Sequence, residues 1–230
     1  MRQIHENLWV HEDSMKLGVV DLPLRMTIAR LADGKLWMHS PTPLSDELKT
    51  EVDGLGEAGA IVAPSNGHNL FVEEWAKACP GATVYVSRGI PGKLPGLTNW
   101  VQIGEETSNL WSADFDQKVM GGVPFFDECV FLHRASGSLI VTDFIQNHRN
   151  REHSGLDAIV TKLILRPIGF KDICLAPPLR WGFMIKDKAA LLDFVREIQS
   201  WEFNRIIVTH GEIIEEGAKQ TLADLCKRFG

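Results

Sequence analysis

Residues 58–71 read AGAIVAPSNGHNLF, an apolar run followed by a polar turn. The short apolar run at its start predicts a buried strand, and the polar residues that follow predict a turn. A helical pattern, NLFVEEWAKACPGA, comes next and stops at Pro80-Gly81. The turn contains one histidine, His68. The stretch therefore predicts strand, turn and helix, with an imidazole that is either a metal ligand or part of the helix cap.

The segments on either side of this unit predict hairpins. Residues 20–31 alternate apolar and polar side chains, and ADG at 32–34 predicts the turn into a further strand, GKLWMHSP. ECVFLHR and SLIVTDF, joined by ASG, predict a second hairpin over residues 128–144. Between them, Ser45 is placed to cap a helix whose first turn carries two acidic residues.

The last third of the chain is richer in helix. GLDAIVTKLILR, KDKAALLDFVREIQSW and EEGAKQTLADLCKRF show helical spacing, and RIIVTHG predicts a buried strand. Strands that alternate with helices but also form hairpins indicate two mixed sheets with helices outside them. We therefore predict an α/β (α+β) fold, a four-layer αββα sandwich, formed as a single domain by residues 1–230.

Composition limits the class of protein. The chain has 230 residues, 44% of them apolar, which is enough for a sizeable core. Its net charge of −6 comes from interleaved acids and bases, so we expect no nucleic-acid partner. No window approaches the roughly 20 apolar residues that cross a bilayer, and the N-terminus lacks a signal-peptide pattern, so we expect no membrane partner. The four widely spaced cysteines predict reduced, buried thiols in a cytoplasmic protein.

Three polar residues follow predicted buried strands and form the candidate site. His68 follows AIVAP, Asp143 ends SLIVTD, and His210 ends RIIVTH. Because strand ends are rigid and often meet at one edge of a fold, these side chains could converge on one site. Two imidazoles and a carboxylate suit Zn²⁺, Fe²⁺ or Mn²⁺, and an ion so held lowers the pKa of a bound water towards neutrality. The alternatives are that Asp143 braces a turn, that His210 is an ordinary loop histidine and that His68 belongs to a helix cap.

Other polar residues are weaker candidates. Glu128 begins a strand and offers an oxygen ligand, although a solvated glutamate at a strand edge is the simpler interpretation. His39 ends a strand and could line the same opening. We expect His133 to point away from the core. His148 and His153 lie in the charged run NHRNREH, which is more typical of a solvated loop than of a site.

Five segments carry a family resemblance. ENLWVHE, DGKLWMHSPTPLSDEL, AIVAPSNGHNLFVEEWAKACPGATVY, ECVFLHRASGSLIVTDFIQN and RIIVTHGEII, in this order, resemble the metallo-β-lactamase fold superfamily, and within it the DUF4336 domain proteins. The resemblance implies an αββα sandwich with its site at one edge, between the two sheets.

The ligand loop departs from the pattern of the hydrolytic members. Their loop reads T-H-x-H-x-D-H and supplies ligands to a dinuclear site, whereas residues 64–71 here contain one histidine, His68. The acid that activates water is missing unless Glu73 or Glu74 replaces it. A further histidine, from a G-H-T-x-G turn, is also missing from MGGVPFFDE, and Glu128 is the nearest replacement.

The later elements fit the pattern better. By resemblance, Asp143 takes the position of the metal-bridging aspartate and His210 that of the final histidine. The resemblance therefore implies His68, Asp143 and His210, with Glu128 as a further candidate, as ligands for one divalent ion (Zn, Fe or Mn) rather than two.

The sequence leaves the function open between hypotheses. The first is a mononuclear metal-dependent hydrolase of an ester-like or phosphoester-like small molecule. The alternative is a non-catalytic binding or assembly module that has lost the metal and binds no cofactor. Redox chemistry at a metal, as in superfamily members with a flavin domain, ranks last. No G-x-S-x-G elbow, P-loop or G-x-G-x-x-G turn is present, so the sequence motifs name no catalytic residue.

Overall fold

The computed structural model describes residues 1–150 and 153–229, and within them seven strands form one mixed sheet in chain order. The first four strands pair antiparallel and the last four pair parallel. Helices α1 (Asp46–Leu55) and α2 (Val72–Ala78) connect the parallel strands. The strands are β1 (Arg2–His5), β2 (Leu8–Leu17), β3 (Val20–Arg30), β4 (Leu36–His39), β5 (Ala58–Ala63), β6 (Thr83–Val86) and β7 (Trp100–Gln102).

A second sheet lies in the C-terminal half. It contains β8 (Phe115–Val119), β9 (Cys129–His133), β10 (Ser138–Val141) and β13 (Arg205–Val208), in the order β13-β10-β9-β8. The predicted hairpin is β9–β10, while β10 and β13 run parallel with Val141 opposite Val208. A separate ribbon pairs β11 (Ile145–Asn147) with β12 (Ile173–Leu175).

The remaining helices lie mainly in the last third. Helix α3 (Gly155–Val160) continues through a π-helical turn (Thr161–Leu165) into α4 (Arg166–Ile168). Helices α5 (Pro177–Arg180), α6 (Lys188–Ser200) and α7 (Ala218–Cys226) follow, and short 3₁₀ helices cover Glu105–Trp111 and Arg134–Ser136. None of the helices in the described ranges is both long enough and apolar enough to cross a membrane.

The apolar cores show how the elements stack. Along β4, Leu36 packs on the side of α1 and α2, whereas the next residue, Trp37, packs between the two sheets against Phe131 of β9. On the far side of the second sheet, residues such as Leu139 pack against α6 and α7. The layers therefore follow in the order helices, first sheet, second sheet, helices. The predicted four-layer sandwich is confirmed.

The ends of α1 and α2 follow different rules. Ser45 caps α1 as predicted, accepting a hydrogen bond from the backbone N–H of Leu48. Helix α2 begins at Val72, three residues later than predicted, and its N-cap residue Phe71 makes no side-chain capping bond. Helix α2 starts late because backbone groups of the preceding polar turn bond to one another. The His68 N–H, for example, donates to the Ser65 carbonyl. His68 is therefore not a helix cap.

Residue alternation corrects one expectation. His133 does not point away from the core but is buried, because side chains two positions apart on a strand share a face and His133 follows Phe131 by two. Its Nδ1 lies 2.8 Å from Ser136 Oγ, a hydrogen bond that satisfies the buried ring. The thiols follow the prediction, since Cys79, Cys129, Cys174 and Cys226 are all free and buried.

Candidate metal centre

The pairing of two strands brings Asp143 and His210 together. Asp143 lies two residues beyond the end of β10, and His210 lies two residues beyond the end of the parallel β13. Because the last residues of these strands are paired, the two side chains leave the sheet next to each other. Gly211 allows the chain to turn there, since its φ is +102° and a Cβ would collide with the Asn147 carbonyl.

His68 reaches the same place from the other sheet, in the turn after β5. Ligand atoms of His68, Asp143 and His210 all lie within 4.8 Å of one another, and these three form the potential metal-binding group among the described residues. Nε2 of His68 is 3.5 Å from Asp143 Oδ2, and Nε2 of His210 is 3.7 Å from Asp143 Oδ1. The two imidazole rings are 5.1 Å apart, centroid to centroid. The three residues predicted at strand ends are therefore brought together.

Hydrogen bonds orient each of the three side chains from behind. Nδ1 of His210 is 2.8 Å from the Pro23 carbonyl, and because a carbonyl can only accept, this nitrogen carries a proton and Nε2 is the nitrogen that faces Asp143. Nδ1 of His68 is 2.7 Å from Ser40 Oγ. The Ser65 hydroxyl donates to Asp143 Oδ2 over 3.0 Å.

The backbone at the site is shaped for close approach. Ser40 follows β4 in the left-handed region, with φ of +53°, which is unusual for a residue with a side chain. A methyl group at Gly67 would lie 2.9 Å from Asp143 Oδ2, closer than real Cβ contacts come. Glycine therefore leaves the space beside the carboxylate open.

The electrostatics favour an ionised carboxylate. Burial alone would raise the pKa of Asp143, but the adjacent imidazoles of His68 and His210 hold that pKa well below its ordinary value. The side chains of both histidines are almost fully buried, and that of Asp143 is 16% exposed. An anionic oxygen and two imidazoles thus meet at the edge of the fold, where the Asp143 side chain keeps a small exposed fraction.

Glu128 lies outside the group of three. Its carboxylate accepts hydrogen bonds from the backbone N–H groups of Thr142 and Phe144, each over 2.7 Å, and so braces the turn that carries Asp143. Burial and the nearby charge of Asp143 raise the pKa of Glu128 to about 8. The other acids named as replacements are also engaged elsewhere: Glu73 accepts from the Gly96 N–H and Glu74 from the Leu44 N–H.

His39 is buried between the sheets, where its ring stacks on Trp37. Neither of its ring nitrogens has a hydrogen-bond partner among the described residues. Burial, with His68 nearby, lowers the pKa of His39 well below its ordinary value. It packs as a neutral ring and is not part of the group of three.

Two cavities lined by described residues open beside the site. The larger has a volume of about 400 Å³ and the smaller about 240 Å³, and both are bordered by Asp143 and His210. His148 and His153 lie outside strands and helices, as expected, but they line the larger cavity, so the expectation that they are solvated is wrong. Strand β11 and helix α3 bring both ends of the run NHRNREH back to the site, while residues 151 and 152 of that run lie outside the described residues.

Sequence reasoning missed the polar face of the helix that borders this cavity. Asp157 and Thr161 lie four residues apart on this helix, and His153, four residues before Asp157, directly precedes the N-cap residue Ser154. Nδ1 of His153 is 2.7 Å from Asp157 Oδ2, and Thr161 Oγ1 is 3.2 Å from Asp157 Oδ1. The four-residue spacing is the signal in the sequence that could have found them.

Fold and site together define the class: this is a metallo-β-lactamase fold. The DIM-1 metallo-β-lactamase matches with a TM-score of 0.63 and 15% identity over 100% of this chain and 96% of that chain. FIM-1 from Pseudomonas aeruginosa, in a mono-zinc form, matches with a TM-score of 0.62 and 16% identity over 99% and 94%. A metallo-β-lactamase from Erythrobacter litoralis matches with a TM-score of 0.63 and 16% identity over 98% and 95%.

The family follows from sequence. Residues 5–153 match the family model described as "Domain of unknown function (DUF4336)", and the chain therefore belongs to the DUF4336 family. The sequence matches none of the curated proteins. The structural similarities, all below 25% identity, show the fold alone.

Proposed function

We propose that this protein is a mononuclear metal-dependent hydrolase that acts on an ester-like or phosphoester-like small molecule. One observation carries the proposal. The Nε2 atoms of His68 and His210 converge on the carboxylate of Asp143, while Ser40, Ser65 and the Pro23 carbonyl hold the three side chains from behind.

The donor set fits a divalent ion. Two imidazoles and one carboxylate suit Zn²⁺, Fe²⁺ or Mn²⁺ and leave coordination positions open for substrate. The bond from the His210 Nδ1–H to a backbone carbonyl is the outer contact that metal-binding histidines usually make. An ion held by these residues would supply Lewis-acid chemistry, polarising a carbonyl or phosphoryl oxygen. Three ligands favour one ion over two, and a single-zinc form is described for the structural relative FIM-1.

The larger cavity supports a small-molecule substrate. Apolar side chains such as Leu22 and Phe170 line it, and the cationic residues Arg166 and Lys171 border it. Its volume of about 400 Å³ is in the range of small-molecule sites. A ligand with an apolar body and an anionic group complements this lining. The four free, buried thiols support a cytoplasmic location.

A metal titration tests the proposal. Protein stripped with a chelator and titrated with Zn²⁺, Fe²⁺ or Mn²⁺ should bind about one equivalent, and bound metal should be required for cleavage of a p-nitrophenyl ester or of bis-p-nitrophenyl phosphate. Asp143→Asn and His210→Gln should lose both properties. His11→Gln, a change in β2 outside both cavities, is the matched control and should lose neither.

The binding module remains the alternative outcome of the same experiment. It is favoured by the ligand loop, where residues 64–71 contain one histidine. Binding of less than about a tenth of an equivalent of every metal would refute the hydrolase and leave this alternative.

A further inference from the structure

The helix that borders the larger cavity is inverted relative to an ordinary surface helix. Its residues Leu156, Ile159 and Leu163 are 64%, 53% and 67% exposed, whereas Asp157 and Thr161 are buried. A surface helix normally buries its apolar stripe and exposes its polar one. Burying a carboxylate is costly unless its partners compensate. The buried polar face therefore calls for a role in the cavity.

The hydrogen bonds of this face define the state of one imidazole. The Thr161 hydroxyl donates to one oxygen of Asp157, and Nδ1 of His153 is 2.7 Å from the other. Because Nδ1 faces a carboxylate oxygen, which accepts, Nδ1 carries a proton in this contact, and Nε2 is the ring nitrogen that lies outside it. The His153 ring lines the same cavity as Asp143 and His210. Nε2 is thus the nitrogen available to a molecule bound there.

We propose that His153 is the general acid–base of the hydrolytic reaction and that Asp157 positions it. This inference rests on the proposed function for the reaction itself. It supplies the acid that residues 64–71 lack, since Glu73, Glu74 and Glu128 are all engaged by backbone N–H groups.

The proton transfers balance without any further reactant. Nε2 of His153 accepts a proton from a water molecule in the cavity as the water oxygen bonds to the carbonyl carbon or phosphorus. The bond to the leaving oxygen then breaks, its electron pair stays on that oxygen, and His153 returns the proton to it. Ester and water become acid and alcohol, with no net oxidation or reduction.

Two esters of the same acid test the assignment. A p-nitrophenyl ester releases an anion that leaves readily without a proton, whereas a methyl ester needs the proton as the bond breaks. In metal-loaded protein, His153→Gln should lower kcat about 10²- to 10⁴-fold on the methyl ester and distinctly less on the p-nitrophenyl ester. KM and bound metal should stay close to wild type. Asp157→Asn should also lower kcat more on the methyl ester than on the p-nitrophenyl ester, but by a smaller factor. His11→Gln should lower kcat on neither ester.

The outcomes separate this inference from the proposed function. An equal fall in kcat on both esters, or a rise in KM together with a fall in kcat, would make the His153–Asp157 pair structural and overturn the acid–base role. Metal binding and hydrolysis by the wild-type protein would still support the hydrolase. A wild-type protein that binds no metal and cleaves neither ester would refute the hydrolase, and the acid–base role with it. Nitrogen-15 spectra give an independent check: His153 should carry its proton on Nδ1, and a proton on Nε2 would overturn the geometry.

Discussion

Replacing Ser40 with alanine tests whether the contact behind His68 sets the affinity for a metal ion. Ser40 Oγ lies 2.7 Å from His68 Nδ1 and so fixes the ring that presents Nε2 to Asp143. Losing an outer contact of this kind typically weakens metal binding about 10- to 100-fold, or about 1.4 to 2.7 kcal/mol of binding free energy. The metal-free fold should lose only about 1 kcal/mol, the net contribution of one hydrogen bond.

The assay is competition for Zn²⁺ against a chelator of known affinity, beside urea unfolding of the metal-free protein. Ser45→Ala is the matched control, because it also removes a hydroxyl that accepts one hydrogen bond, from the Leu48 N–H at the start of α1. It should cost about 1 kcal/mol of stability and leave metal affinity unchanged.

A glycine at position 40 separates the hydroxyl from the strained backbone. With φ of +53°, Ser40→Gly relieves the left-handed strain that Ser40→Ala retains. The glycine variant should therefore be more stable than the alanine variant but bind metal equally weakly. If Ser40→Ala binds Zn²⁺ as tightly as wild type, the contact with His68 does not orient a ligand, and the reasoning fails.

Two further predictions concern a buried histidine and a glycine. Burial, assisted by repulsion from His5, lowers the pKa of His133 to about 4. Because the unfolded chain takes up the proton first, stability present above about pH 6.5 should be lost as the pH falls towards 4, by at most about 3 kcal/mol. Urea unfolding across this range should show a shallower loss in His133→Gln, and parallel curves would contradict the assignment. Gly67→Ala places a methyl group 2.9 Å from Asp143 Oδ2 and should weaken Zn²⁺ binding at least about tenfold, while Gly54→Ala, in open space on α1, should not.

Much of the architecture follows from local patterns in the sequence. Period-two alternation and turn residues predict the hairpins, and the cap at Ser45 predicts where α1 begins. The convergence of Asp143 and His210 also follows, because the ends of neighbouring parallel strands lie at the same edge of a sheet. His68 joins them because its strand ends at the same edge of the facing sheet.

Contacts between distant segments could not be predicted in this way. The Pro23 carbonyl and Ser40 are separated from their partners by 187 and 28 residues, and both contacts depend on how the layers stack. The buried pair of His153 and Asp157 was missed for a different reason. Helical periodicity shows that a stripe is apolar but assumes that the apolar side faces inward, and in this helix the apolar side faces out.

The inverted helix also bears on the choice between a hydrolase and a binding module. Burying polar groups costs free energy unless their partners compensate for the lost contact with water. A cavity that only held an apolar ligand would therefore be more stable with apolar side chains at Asp157 and Thr161 and a polar one at Leu163. This helix has the reverse on both faces. Its polar face adds an oriented imidazole in the cavity bordered by Asp143, and general acid–base catalysis is one task for such a group. The polar face of this helix is thus a feature that our proposed hydrolase would use and that a purely apolar binding cavity would not need.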